Sequence, residues 1–274
     1  MDPTVSRREI WREKENLRTV HCYSNFLLTA ARYDRFMLSV PSRVKNAILP
    51  SGKRNRTIPI GIGRRIRMNL DFAHETRQFL GLYEIELTPH LRRLARPGAT
   101  TFDVGAQDGY DALIFAKLTG AAVASFESDP AHVHGSMCTN FGLNPQLGAL
   151  ITSVTGEVGS AADQLSLDDW AFGRDGFVPD LIKLDIEGGE ASALRSASRV
   201  LACGPDVIVE VHSVEQEDEC MEILREAGYE PQIVNQRRFF PDRRPISHNR
   251  WLVAERPHRT RLPCRSSRSA AIGC

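Results

Sequence analysis

The residues best able to do chemistry lie at the ends of four short apolar runs. The first run ends in Asp103-Val104-Gly105-Ala106-Gln107-Asp108-Gly109-Tyr110. Gly105 lets the backbone turn tightly, and Gly109 lets a ligand or strand approach the start of the next helix. The spacing is not G-x-G-x-x-G, so it does not match the dinucleotide fingerprint, whose helix start faces a pyrophosphate. A carboxylate at Asp103 would repel a pyrophosphate but suit a cationic amino-acid ligand. A plain strand-turn-helix would carry the same residues. The second run closes in Phe126-Glu127-Ser128-Asp129-Pro130, about 24 residues after Asp103. A carboxylate there can accept both ribose hydroxyls of an adenosine. Alternatively it heads the next helix, where the dipole favours an acid.

The third run is Asp180-Leu181-Ile182-Lys183-Leu184-Asp185-Ile186-Glu187-Gly188-Gly189-Glu190. Three acids and two glycines at a strand-to-helix junction are costly for packing alone. Glu190 reads equally well as a helix-cap acid. The fourth is Val209-Glu210-Val211-His212, where alternation points Glu210 and His212 to the same side. A hydrogen-bonded structural histidine is the plainer reading of His212 by itself.

These junctions need a scaffold that brings strand ends together. From Gly98 onward, β-branched runs alternate with helical segments. Strands are expected at Thr100–Val104, Ala122–Phe126, Ala149–Val154, Leu181–Ile186 and Val207–Val211. Late strands are expected at Glu230–Val234 and Trp251–Ala254, joined by a loop over Pro241–Ser247. Such alternation builds a parallel sheet covered on both faces, with ligands at the carboxyl ends of its strands. Upstream, the runs Thr57–Ile62 and Arg64–Leu70 suggest a hairpin, and residues 73–95 a helix. The segment from 1 to 50 reads as helical and closes at Pro50-Ser51-Gly52.

The combination DVGAQDGY at 103–110, FESDP at 126–130, LSLDDW at 165–170, DLIKLDIEGGE at 180–190 and VIVEVH at 207–212 resembles the FkbM family of methyltransferases. Gly81-Leu82-Tyr83-Glu84 and Arg96-Pro97-Gly98 fall where that family has its YE and PG elements. The resemblance covers roughly residues 55–255. Gln107 stands where Asn is usual, and Asp111 where an aromatic or small residue is preferred. It implies a doubly wound, Rossmann-like class I methyltransferase sheet of seven strands, mostly parallel with the last antiparallel. It also implies S-adenosyl-L-methionine as cofactor and O-methylation of a sugar, natural product or other small molecule.

The expected cofactor residues are Asp103, Gly105, Ala106, Gln107, Gly109, Glu127, Ser128, Gly156, Asp185 and Glu187. No metal is expected. The sulfonium already activates the methyl group, so the protein supplies orientation and a dry pocket. A neutral hydroxyl is a poor nucleophile, and a base improves it. His212, with an ordinary pKa near ~6.5, is the expected base. Asp185 or Glu210 would orient it or hold the substrate.

The expected division is a basic helical extension (1–52), a hairpin and helical lead-in (53–97), the cofactor-binding domain (98–256) and a disordered basic tail (257–274). Of the 274 residues, 35 are Lys or Arg and 34 Asp or Glu, for a net charge of +1. That balance hides an asymmetry. Residues 1–70 carry 15 basic and 5 acidic residues, and residues 256–274 carry five Arg and no acid. The body between is strongly acidic. Basic ends leave open a nucleic-acid methyltransferase recruited by the N-terminal segment, although no RNA-binding module or aromatic basic platform is visible. A non-catalytic binding or scaffold protein of the same fold is the third reading. The acceptor favoured is a small molecule or carbohydrate. The six cysteines form no C-x-x-C pair and read as reduced thiols of a cytoplasmic protein. No apolar stretch is long enough to span a membrane.

Overall fold

Runs of Val, Ile, Leu and Phe bounded by Gly and Pro become the central strands, and Ala/Leu-rich stretches between them become helices. A computed structural model describes residues 52–237 and 248–255. The lead-in comprises β1 (Lys53–Thr57), β2 (Arg67–Asp71), α1 (Thr76–Phe79) and α2 (Thr88–Leu94). Then follow β3 (Thr101–Val104), α3 (Tyr110–Thr119) and β4 (Val123–Glu127). α4 (Pro130–His132), a π-helical turn (Val133–Met137), α5 (Cys138–Leu143) and α6 (Pro145–Gly148) lead to β5 (Ile151–Thr155). Next come α7 (Leu167–Ala171), β6 (Leu181–Leu184), α8 (Glu190–Arg195) and α9 (Ser198–Ala202). β7 (Asp206–Val211), α10 (Val214–Glu226), β8 (Gln232–Val234) and β9 (Arg250–Ala254) complete the order.

The main sheet has the order β5-β4-β3-β6-β7-β9-β8. β9 runs antiparallel to both neighbours, and the other pairs are parallel. This is the expected seven-stranded class I methyltransferase sheet. Strand order reverses between β3 and β6, so the two loops that leave them open a crevice at the carboxyl edge. Gly105 and Asp185 follow those two strands and face each other across it.

Alternation sorts the strands onto two cores. Phe102, Val104, Ile182, Leu184, Val207 and Val209 pack on one face, where Phe102, Phe126, Trp170 and Phe177 meet edge-to-face. Leu181, Ile208, Trp251 and Val253 pack on the other, under α3 and the lead-in residues Ile58, Met68, Leu87 and Leu91. Each such aliphatic side chain contributes about 1.5–3 kcal/mol by leaving water. Period two therefore turns Lys183 and Glu210 toward the lead-in side.

Some elements differ from expectation. The hairpin forms, but its paired strands are displaced outward to β1 and β2, with Ile58–Ile66 as the connecting turn. The helix expected over 73–95 is two short helices. The helical stretch between β6 and β7 breaks at Ser196–Ala197 into α8 and α9. There Ser196 Oγ donates to the Ala193 carbonyl at 2.7 Å, and Asp168 caps α9 by accepting from the amides of Arg199 and Val200, each at 2.8 Å. Among the described residues, Cys138 and Cys220 are free thiols. No helix of the described residues is long and apolar enough to cross a membrane. The basic extension (apart from Gly52), the Pro241–Ser247 loop and the 257–274 tail lie outside the described residues.

Candidate active site

The loop after β3 builds one wall of the crevice. Gly105 has φ +88, and its amide and that of Ala106 both donate to the Phe126 carbonyl. A Cβ on Gly105 would overlap the carbonyl oxygen of Asp185. The absent side chain thus lets the β3 and β6 loops touch. Gly109 caps α3 in the left-handed region, and a Cβ there would stand 2.5 Å from the Phe141 ring. Its neighbour is α5, where the sequence left a ligand or a strand open. Gln107 is exposed and holds φ +48, a backbone region that costs a non-glycine residue energy and concentrates at functional sites.

Glu127 ends β4 nearly buried. Its Oε2 accepts from the Gln107 amide and its Oε1 from the Asp129 amide, each at 2.8 Å. One carboxylate therefore ties the loops after β3 and β4 together. Ser128 Oγ lies 3.5 Å from the same carboxylate, and the Gly156 amide donates to the Glu127 carbonyl. Glu127, Ser128, Gly156 and the 105–109 turn thus form one connected rim. Replacing Glu127 by alanine is expected to weaken cofactor binding by about 1.5–3 kcal/mol, the worth of hydrogen bonds to a charged group. Glutamine, which keeps one acceptor, should lose less. Calorimetry with the two variants checks the order, and equal affinities for all three proteins would restrict Glu127 to its loop contacts.

Beneath the rim lies a buried charge cluster. Lys183 is 1% exposed and sits opposite Asp103 in register. Its Nζ is 2.7 Å from Asp111 Oδ2, 3.2 Å from Glu84 Oε2 and 3.4 Å from Asp185 Oδ2. Burial disfavours the ammonium, yet Asp111, Glu84 and Asp185 outweigh it and hold the Lys183 pKa above its ordinary value. Burial also pushes up the carboxyls of Glu84 and Asp103, with Lys183 opposing in both. Asp103 Oδ2 is buried with no hydrogen-bond partner among the described residues. Lys183→Met would leave the buried Glu84 and Asp185 and the partly buried Asp111 without their cation, at about 3–5 kcal/mol of stability. Glu84→Gln should cost less, because burial already favours its neutral form. Urea melts of the two variants test this, and a Lys183→Met loss no larger than that of Glu84→Gln would contradict it.

His212 follows β7 and is 8% exposed. Its Nδ1 lies 2.5 Å from Glu190 Oε1, and Glu190 is fully buried. With Glu190 as a carboxylate, which can only accept, Nδ1 is the donor of this bond, and Nε2 is the nitrogen left to face Asp185 and Glu210. Nε2 has no hydrogen-bond partner among the described residues and stands 3.7 Å from Asp185 Oδ1 and 3.8 Å from Glu210 Oε1. The orienting role expected of Asp185 or Glu210 is therefore taken by Glu190, and those two acids face the other ring nitrogen. Glu187, by contrast, is exposed and turns away from this group into a cavity.

That cavity, about 630 Å³, is lined by residues of the lead-in (Lys53, Arg77, Tyr83), of the turn (Gln107, Asp108) and of α4 (His132). A smaller one shares Gln78, Tyr83, Gln107 and Asp108 with it and reaches Gly105 and Asp185. Burial pushes the Asp108 carboxyl up to about 6, with Glu75 adding to it. Sequence reasoning gave no role to Lys183 or Asp108, although a lysine inside the run Leu181-Ile182-Lys183-Leu184 is itself a signal of a buried ion cluster.

Several solved methyltransferase structures resemble this chain at low sequence identity. Among solved structures, a precorrin-6y C5,15-methyltransferase from Geobacter metallireducens is 15% identical, covering 63% of this chain and 88% of its own, with a TM-score of 0.47. An S-adenosylmethionine-dependent O-methyltransferase from Thermotoga maritima is 14% identical over 64% of this chain and 66% of its own, TM-score 0.46. Fibrillarin from Aeropyrum pernix with bound S-adenosyl-L-methionine is 15% identical over 59% and 68%, TM-score 0.46. No curated protein matches the chain. Residues 71–231, more than half of the chain, match the methyltransferase FkbM domain. The chain belongs to the FkbM family of methyltransferases, enzymes that depend on S-adenosylmethionine.

Proposed function

We propose that this methyltransferase acts on a hydroxyl of a small molecule or sugar, with Asp185, Glu210 and His212 as its catalytic residues. The observation that carries the reading is the His212 group. A buried imidazole lone pair and two carboxylate oxygens converge within 4.8 Å of one another, beside the turn where β3 and β6 touch. A hydroxyl must shed its proton as it is methylated, whereas a neutral amine can attack with its lone pair, so such an electron-rich group suits an oxygen acceptor.

The site also fits the cofactor, which supplies an activated methyl group when bound. The buried, unpartnered Asp103 Oδ2 and the surrounding acids suit a cationic amino-acid end. Glu127, beside Ser128 at the rim, keeps lone pairs for ribose hydroxyls while it holds Gln107 and Asp129 in place. Gly105, Ala106, Gln107, Gly109 and Gly156 are assigned to the same cofactor rim, with Glu187 at the cavity.

The cavity of about 630 Å³ has the size of a small-molecule site rather than a nucleic-acid platform. Its lining mixes Lys53, Arg77 and His132 with Glu75, Asp108 and Glu187, without the single-sign surface that a polyanion selects. The test is transfer of tritiated methyl from the cofactor to a panel of sugars, glycolipids, polyketides and RNA. Label in a methyl ether supports the reading. Label in RNA alone, or on carbon or nitrogen, would replace it.

A further inference from the structure

Asp185, Glu210 and His212 form a group whose geometry exceeds what a proton acceptor requires. The three donor atoms are Asp185 Oδ1, Glu210 Oε1 and His212 Nε2, and all three residues are buried. Nε2 stands 3.7 Å from the Asp185 oxygen and 3.8 Å from the Glu210 oxygen. Three donors so spaced leave room for an ion roughly 2.1–2.4 Å from each, the range of divalent metal–oxygen and metal–nitrogen bonds.

Each of the three residues is also held in place by a neighbour. Glu190 fixes His212 through Nδ1 at 2.5 Å, so that Nε2 faces the group. Lys183 sits 3.4 Å from Asp185 Oδ2, on the side away from the donor Oδ1. Asn249 Nδ2 donates at 2.6 Å to Glu210 Oε1, the donor oxygen itself, and fixes its place in the group. A carboxylate behind a histidine, and hydrogen bonds behind ligating carboxylates, are the outer-shell pattern of metal centres.

We propose that Asp185, Glu210 and His212 bind one divalent cation of the Mn²⁺ or Mg²⁺ type. Two carboxylate oxygens suit Mg²⁺ or Mn²⁺, and the imidazole favours Mn²⁺ over Mg²⁺. Three protein ligands leave coordination positions for an acceptor oxygen, and a hydroxyl on such an ion ionises closer to neutrality. His212 is then a ligand rather than the free base that the sequence suggests. The inference rests on the proposed hydroxyl-directed activity for its purpose, but cation binding is measurable without any acceptor.

The experiment is Mn²⁺ titration of the chelator-stripped full chain, followed by electron paramagnetic resonance, with cofactor calorimetry on the same sample. One Mn²⁺ per chain is expected, with a nitrogen coupling in the spin-echo spectrum from the His212 ring. His212→Asn keeps an amide donor for Glu190 but has no Nε2. It should abolish the nitrogen coupling and weaken Mn²⁺ at least about tenfold, while cofactor affinity stays within about twofold. Should that variant fail to fold, Glu190→Gln serves instead, with Mn²⁺ expected to bind more weakly. Absence of bound Mn²⁺ up to about millimolar concentration, or bound Mn²⁺ without nitrogen coupling, overturns the site. Cofactor binding without Mn²⁺ defeats the cation alone, whereas Mn²⁺ binding with label appearing only in RNA defeats the acceptor reading alone.

Discussion

His212→Asn lowers methyl transfer roughly 10²–10⁴-fold with little change in cofactor affinity. The size is that of a positioned group that handles the proton of the attacking hydroxyl. The geometry explains why the loss falls on turnover. Nε2 points at Asp185 Oδ1 and Glu210 Oε1, while the rim assigned to the cofactor is organised by Glu127 and the 105–109 turn. Asparagine is chosen because alanine would leave the fully buried Glu190 without its donor, a cost of about 3–5 kcal/mol that would confuse stability with catalysis. Thermal melts establish that the variant is folded, and single-turnover rates then give the loss. Full turnover in a folded His212→Asn protein would remove His212 from the reaction. Loss of cofactor binding in that protein would make its role structural.

Gly105→Val abolishes cofactor binding. A side chain there would intrude on the ligand's approach to the turn. The structure adds a stronger reason, since the Cβ would overlap the Asp185 carbonyl oxygen. Either the β3 turn or the β6 loop must then move, and with it the whole switch-point crevice. The positive φ adds strain that a β-branched residue tolerates worst. Alanine meets the same carbonyl and should also bind poorly, which separates this cause from simple filling of the ligand's space. Calorimetry on both variants, beside their circular dichroism, distinguishes loss of the site from loss of the fold. Near-normal affinity in Gly105→Ala would mean that the two loops can separate freely.

Much of the scaffold can be read from local residues. β-branched runs ending in acids announce β3, β4, β6 and β7, and parity alone places Glu210 and His212 on one side. What escaped was set by distant partners. The break between α8 and α9 depends on Asp168, some thirty residues upstream, reaching the amides of Arg199 and Val200. Gly109 was expected beside a ligand or strand, yet Phe141 of α5 fills that space. Glu190 read equally well as a helix cap, because nothing nearby in sequence shows that its carboxylate reaches His212, 22 positions away. Lys183 unites Glu84, Asp111 and Asp185 from three elements, and only the folded sheet brings them together.

Cofactor titration is the most direct test that the crevice between β3 and β6 is a methyl-donor site. S-adenosylmethionine titrated calorimetrically into the full chain should bind at one site, bind more weakly to Glu127→Ala, and not bind to Gly105→Val. No heat of binding with the unmodified, folded chain, or equal binding by all three proteins, would contradict it.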